Sequence, residues 1–107
     1  IMSQVDLAGS SIASRVANSR TATVAVTSFT FKEPVWVGDV VSFYATVLKV
    51  GTTSITVDVT VFAERLHKDN HRIVKVTEAQ LVFVALNKDG RPQPVYRADN
   101  PAPEKTE

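Results

Sequence analysis

The chain has 107 residues, 44% apolar and 21% charged, with twelve basic and eleven acidic side chains and a formal charge of +1. Such a chain forms one globular domain around one core, and it lacks the clustered basic excess that marks a nucleic-acid binder. It has no cysteine, which excludes a disulfide scaffold, a thiolate metal site and a cysteine nucleophile, and which fits the cytoplasm. No stretch approaches the roughly 18–20 apolar residues of a membrane span. The opening residues lack the basic start and apolar run of a secretory leader.

Residues 1–18 predict a helix. Ile1, Val5, Ala8, Ile12 and Val16 recur at spacings of three and four, which places them on one stripe. Gly9, Ser10, Ser11, Ala13 and Ser14 are small. Small side chains let a helix lie close to its neighbour. Glycine in mid-helix costs roughly 1 kcal/mol against alanine, so a packing reason for Gly9 is expected.

The period then changes. Thr21–Phe31 is rich in Thr, Val and Phe and reads as a strand. Glu33-Pro34 ends it, and Gly38-Asp39 marks a turn. Val40–Val50 reads as a second strand, followed by a tight hairpin at Gly51-Thr52. Residues 54–64 alternate cleanly, with Ile55, Val57, Val59, Val61 and Ala63 on one face. Residues 65–72 read as a polar loop, residues 73–86 as the last strand, and Asp89-Gly90 as a turn. Four prolines from Pro92 onward predict an extended tail. The domain is expected to span residues 1–96, with residues 97–107 an extended or disordered tail. One helix of small residues and four long strands make an α+β arrangement, a helix on an antiparallel sheet.

Three segments carry a resemblance. They are MSQVDLAG at residues 2–9, TVAVTSFTFKEPVWVGDVV at residues 23–41 and KVGTTS at residues 49–54. Val24, Val26, Phe31, Pro34, Val35, Val37, Gly38 and Asp39 fall at the spacing of the family's second strand and following loop. Thr77-Glu78-Ala79 and the Gly90 turn sit where the family has similar residues. Over nearly the whole chain, these segments resemble the YciA-like acyl-CoA thioesterases.

That resemblance implies a hotdog fold, a long helix wrapped by a curved antiparallel sheet. It implies homodimers with a continuous sheet, assembling to hexamers as trimers of dimers or to tetramers, with active sites at the dimer interface. It implies hydrolysis of acyl-CoA to free acid and coenzyme A without metal or redox cofactor. Relatives carry a further strand and a glycine-pair segment before the position of Ile1, so the chain is expected to lack them.

Thioester hydrolysis needs an activated water and donors aimed at the developing oxyanion. The resemblance maps a helix-borne acid onto Asp6, as general base or nucleophile. Ser3-x-x-Asp6 also has the spacing of a capping box. Glu78 is a second candidate; the competing reading is an outward-facing strand residue. Lys49, Gly51, Thr52, Thr53 and Ser54 are the expected coenzyme A segment, since a cation, hydroxyls and backbone N–H groups suit phosphate oxygens. Arg72 is a further candidate there, with Arg65 and Lys75. Trp36 suits acyl binding or subunit packing. His67 and His71 are expected at the surface, and no metal site is expected. The helix has no histidine, which argues against a hydratase-type Asp/His pair. The alternative to the enzyme is a non-catalytic hotdog module that binds acyl thioesters or serves assembly.

Overall fold

The computed structural model describes residues 2–67 and 70–103. Helix α1 (Met2–Ala17) is followed by strands β1 (Thr21–Phe31), β2 (Val40–Val50), β3 (Ser54–His67) and β4 (Asn70–Ala85). They form one antiparallel sheet in the order β1-β4-β3-β2. β1 and β2 are therefore its edges. This is the α+β arrangement expected from the sequence.

The alternation in β3 sets the core. Ile55, Val57, Val59, Val61 and Ala63 are all fully buried, and Ala79, Leu81, Phe83 and Ala85 of β4 join them. The register shifts after Thr23 and Val26 in β1, after Val47 in β2, and between Val61 and Phe62 opposite β4. Such bulges bend a strand and raise its twist, which suits a sheet that must wrap a helix.

Helix packing differs from the expected stripe. Val5, Gly9, Ala13 and Ala17 lie deepest, while Ala8, Ile12 and Val16 are only partly buried. The small residues win because the helix sits very close to the sheet. A Cβ at Gly9 would meet two Phe83 ring carbons at 3.0 and 3.1 Å and Val59 at 3.5 Å. Gly9 is the point of closest approach, which answers its mid-helix position.

A polar loop is expected over residues 65–72, but residues 65–67 and 70–72 belong to β3 and β4. β3 and β4 stay paired out to His67 and Asn70, with Arg65 opposite Arg72. The charged residues are accommodated because Arg65 finds carboxylates elsewhere in the fold, described below. Lys68 and Asp69, and the side chains of His67 and His71, lie outside the described residues, and with them the surface reading of the two histidines.

The segment after Pro92 bends at residues 95–96, turns between Arg97 and Asn100, and is bound to the domain. Val95 is fully buried, and its N–H donates to Thr52 O at 2.8 Å. Arg97 donates to Ala17 O at 3.0 Å and Asn18 O at 3.2 Å. Asn100 Nδ2 donates to Val16 O at 3.0 Å and Ala17 O at 3.2 Å. These bonds satisfy carbonyls that a helix C-terminus leaves without partners. Asn18, at φ 50°, turns the chain out of the helix. Arg97 and Asn100, expected in the tail, thus fasten the end of α1. Residues 104–107 lie outside the described residues.

Candidate active site

Asp6 lies in the second turn of α1, one step from buried Val5. The helix already includes Ser3, so Ser3-x-x-Asp6 is not a capping box. Asp6 turns toward the sheet instead. Thr23 Oγ1 of β1 donates to Asp6 Oδ1 at 2.6 Å. A short O–H···O⁻ bond of this kind is charge-assisted. It fixes the carboxylate while leaving it further acceptor sites. Thr23 faces the helix because it pairs with inward-facing Phe83. One helical turn pair further on, Ser14 and Thr21 make a parallel hydroxyl contact of 3.0 Å. Thr23 belongs to the second quoted segment, yet nothing in its spacing marked it as a partner of Asp6.

An apolar cavity of about 430 Å³ opens at the start of α1, lined by Gln4, Phe31, Val35, Val41 and Phe43. Val35 comes from the crossover between β1 and β2. That crossover is clamped. Arg65 Nε lies 3.2 Å from Asp39 Oδ2, and Nη1 lies 3.5 Å from Glu33 Oε2. Arg65 Nη2 also donates to Pro34 O. Its guanidinium stacks 4.1 Å from the Trp36 ring centroid. Asp39 Oδ2 accepts the Trp36 N–H at 2.8 Å as well, and Gly38 takes the φ of 94° that this turn requires. Trp36 is thus held by the clamp on one side and still more than half exposed.

This corrects the reading of Arg65 as a phosphate ligand. Its side chain is 9% exposed and surrounded by carboxylates. Lys75 is also committed: its Nζ donates to Glu78 Oε1 at 2.6 Å.

Glu78 points away from the helix, since its neighbours Thr77 and Ala79 are the buried pair. Lys32 Nζ lies 3.5 Å from its other oxygen. The Lys75 hydrogen bond and the Lys32 charge hold its carboxyl below the usual glutamate value. Within one chain, Glu78 and Asp6 are on opposite faces of the sheet and are not brought together.

The expected coenzyme A segment is the β2–β3 hairpin. Lys49 and Thr52 are exposed there. The Gly51 N–H is engaged by Ser54 O at 2.8 Å, and the carbonyls of Thr52 and Thr53 accept from Val95 and Ala85. The lysine and the hydroxyls are what the hairpin offers an anion. Arg72 is exposed but sits opposite Arg65. That is roughly 36 Å from Ser54 along the sheet at about 3.3 Å per residue, so one chain does not bring Arg72 to the hairpin. Among the described residues no helix is long and apolar enough to cross a membrane.

The comparisons agree with this architecture. The family model of the thioesterase superfamily matches residues 1–69. The acyl-CoA thioester hydrolase YciA of Salmonella typhimurium is 41% identical over 96 residues, covering 89% of this chain and 72% of that protein. A hexameric hotdog-fold thioesterase of Campylobacter jejuni superposes with a TM-score of 0.82 at 38% identity, covering 87% of this chain and 71% of the other. An aspartate-to-alanine variant of a hexameric broad-specificity acyl-coenzyme A thioesterase superposes with a TM-score of 0.85 at 38% identity, covering 92% and 72%. The fold is the hotdog fold. The chain belongs to the thioesterase superfamily, among its acyl-CoA thioester hydrolases.

Proposed function

We propose that this chain hydrolyses acyl-CoA with Asp6 as the general base, or as the nucleophile of a covalent route, and with Thr23 as the group that aims it. The hydrogen bond from Thr23 to Asp6 carries this reading. An acid held at the helix–sheet junction can take a proton from water as that water attacks the thioester carbonyl carbon. The carbon–sulfur bond then breaks, the sulfur leaves with a proton as coenzyme A, and the acid product remains. Backbone N–H groups in the first turn of α1 suit the oxyanion, since helix starts favour negative charge. Within one chain Glu78 is tied to two lysines on the far face, so the reading rests on Asp6, and Glu78 could join the site only from another subunit.

Lys49 and the hydroxyls of Thr52, Thr53 and Ser54 are proposed to meet the phosphates of coenzyme A. Arg72 could join them only from another subunit. The assembly is proposed to be a dimer built by pairing an edge strand, with three such dimers joined in a hexamer or two in a tetramer, in the cytoplasm. β1 supports this: Val24, Val26, Phe29 and Phe31 are exposed on a strand that, among the described residues, has no further strand on its outer side. Unpaired apolar edges are normally covered.

Release of free thiol from a panel of acyl-CoAs tests the function. The chain has no cysteine, so a thiol reagent sees no background from it. Lys49→Ala is expected to raise KM for acyl-CoA and to leave a truncated thioester without phosphates unaffected. Equal effects on both substrates would remove Lys49 from the phosphate site. No thiol release from any acyl-CoA would sink the hydrolase itself.

A further inference from the structure

β1 and β2 are the two edges of the sheet, so residues 32–39, which join them, must pass across β4 and β3. They meet Arg65 on the way. Ile55, Val57, Val59, Val61 and Ala63 face α1, and Arg65 is the next inward position of β3. A buried cation needs partners. Asp39, Glu33, the Pro34 carbonyl and the Trp36 ring supply them, and all four belong to the crossing segment.

Two of these contacts enclose one residue. Arg65 Nη2 donates to the Pro34 carbonyl, which lies in the peptide unit before Val35. Asp39 Oδ2, paired with Arg65 Nε, accepts the Trp36 N–H, which lies in the peptide unit after Val35. Peptide units are planar, so holding both leaves Val35 little freedom in φ and ψ. The direction of its side chain is fixed with them. Val35 lines the apolar cavity of about 430 Å³ at the start of α1. The other lining residues, Gln4, Phe31, Val41 and Phe43, stand on the helix or on strands. Val35 does not, and the ion pair does for it what regular structure does for them.

We propose that Arg65 is a positioning residue for acyl selectivity: with Asp39 it fixes Val35, and Val35 bounds the space left for the acyl chain. This rests on the hydrolase reading above and deepens it. The cavity opens at the first turn of α1, where the oxyanion is proposed to form. An acyl chain running from that carbonyl has this apolar space to enter, and each buried methylene favours entry. A wall that cannot shift then decides which chains fit. Val35 is held by charge and hydrogen bonds rather than by packing alone, so the wall can be loosened without emptying the core.

The test is kcat/KM for dodecanoyl-CoA and for acetyl-CoA, taken as a ratio, by thiol release. The proteins are wild type, Val35→Ala, two clamp variants, and Val35→Ala combined with the first of these. Arg65→Met with Asp39→Asn removes the ion pair without stranding a charge. Arg65→Lys keeps a cation beside Asp39 but loses the fork that also reaches Pro34 O. The ratio is expected to rise about tenfold in Val35→Ala and in both clamp variants, the scale on which an apolar pocket weighs a methylene. The combined variant should rise no further, because both changes act on one wall. A merely structural Arg65 would lower both substrates alike. An unchanged or lower ratio in a clamp variant with wild-type far-UV circular dichroism would overturn the role of Arg65. So would a combined rise equal to the product of the separate ones. An unchanged ratio in Val35→Ala would take the acyl chain out of this cavity. Each of these leaves the hydrolase standing, whereas no thiol release by wild type from any acyl-CoA would sink the hydrolase and this inference with it.

Discussion

Thr23 Oγ1 and Asp6 Oδ1 lie 2.6 Å apart, joining α1 to β1 across 17 residues of sequence. The bond crosses the helix–sheet junction that Gly9 draws tight. It holds the acid from the sheet side, so its angle is set by two elements rather than by one flexible side chain. Removing it should loosen the base without removing it. A hydrogen bond to a charged group is worth roughly 1.5–3 kcal/mol, so Thr23→Val should lower kcat/KM about 10–100-fold. Thr23→Ser should restore most of that loss. Steady-state kinetics on one acyl-CoA decides it, and equal rates for Val and Ser at position 23 would deny the bond a role.

Gly9 gives a stability prediction in which two effects oppose. Alanine in mid-helix is favoured over glycine by about 1 kcal/mol. Its Cβ would meet the Phe83 ring at 3.0 Å, and Phe83 is fully buried with little room to move. Overpacking of this kind costs about 1–3 kcal/mol. Gly9→Ala should therefore be neutral to mildly destabilising. Gly9→Val, with two more carbons and a β-branch, should lower the urea midpoint clearly. A more stable Gly9→Val would mean the helix can lift off the sheet at little cost.

Arg65 predicts a coupled pair. The Asp39 side chain is 5% exposed and depends on Arg65 for charge. Taking one member from a buried pair costs roughly 3–5 kcal/mol, because the other charge is stranded. Arg65→Met should show a loss of that order in chemical denaturation, and Trp36 fluorescence should shift as its ring loses the guanidinium. Adding Asp39→Asn should recover much of the stability. Simple additivity of the two changes would contradict the pairing.

Glu78 predicts a titration. Lys75, by its hydrogen bond, and Lys32, by its charge, keep the carboxyl ionised to lower pH than usual. The folded value is depressed, so the contribution to stability is present above the unfolded glutamate value. It fades as pH falls through the lower folded value. The carboxyl carbon of Glu78, followed by NMR, should titrate below an ordinary glutamate, and Lys75→Met should raise its midpoint. A midpoint indifferent to that substitution would show the bond to be absent in solution.

The strands were readable for a physical reason. Ile55, Val57, Val59, Val61 and Ala63 must face one way to be buried, and a period of two announces that. β1 and β2 begin and end where expected, between the Pro34, Gly38 and Gly51 breaks. The strand ends at residues 65–67 and 70–72 are hidden because their charges look like a loop, and the carboxylates that shelter Arg65 lie 26 or more residues away. The depth order along α1 was hidden because apolar side chains mark a face, whereas Gly9, Ala13 and Ala17 mark a distance. Asp6 could be read through resemblance. Thr23 could not, because which β1 residues face inward depends on register shifts that sequence alone does not reveal. The grip of Arg97 and Asn100 on the helix end was masked by the prolines around them.

The most direct test is turnover of acyl-CoA by wild type and Asp6→Asn, with coenzyme A binding measured on both. Asparagine keeps the shape and the bond to Thr23 and cannot accept the proton. The account predicts a fall in kcat of roughly 10²–10⁴, the usual contribution of a general base, with binding unchanged. Turnover by Asp6→Asn within about tenfold of wild type, a difference of about 1.4 kcal/mol in the barrier, would contradict it.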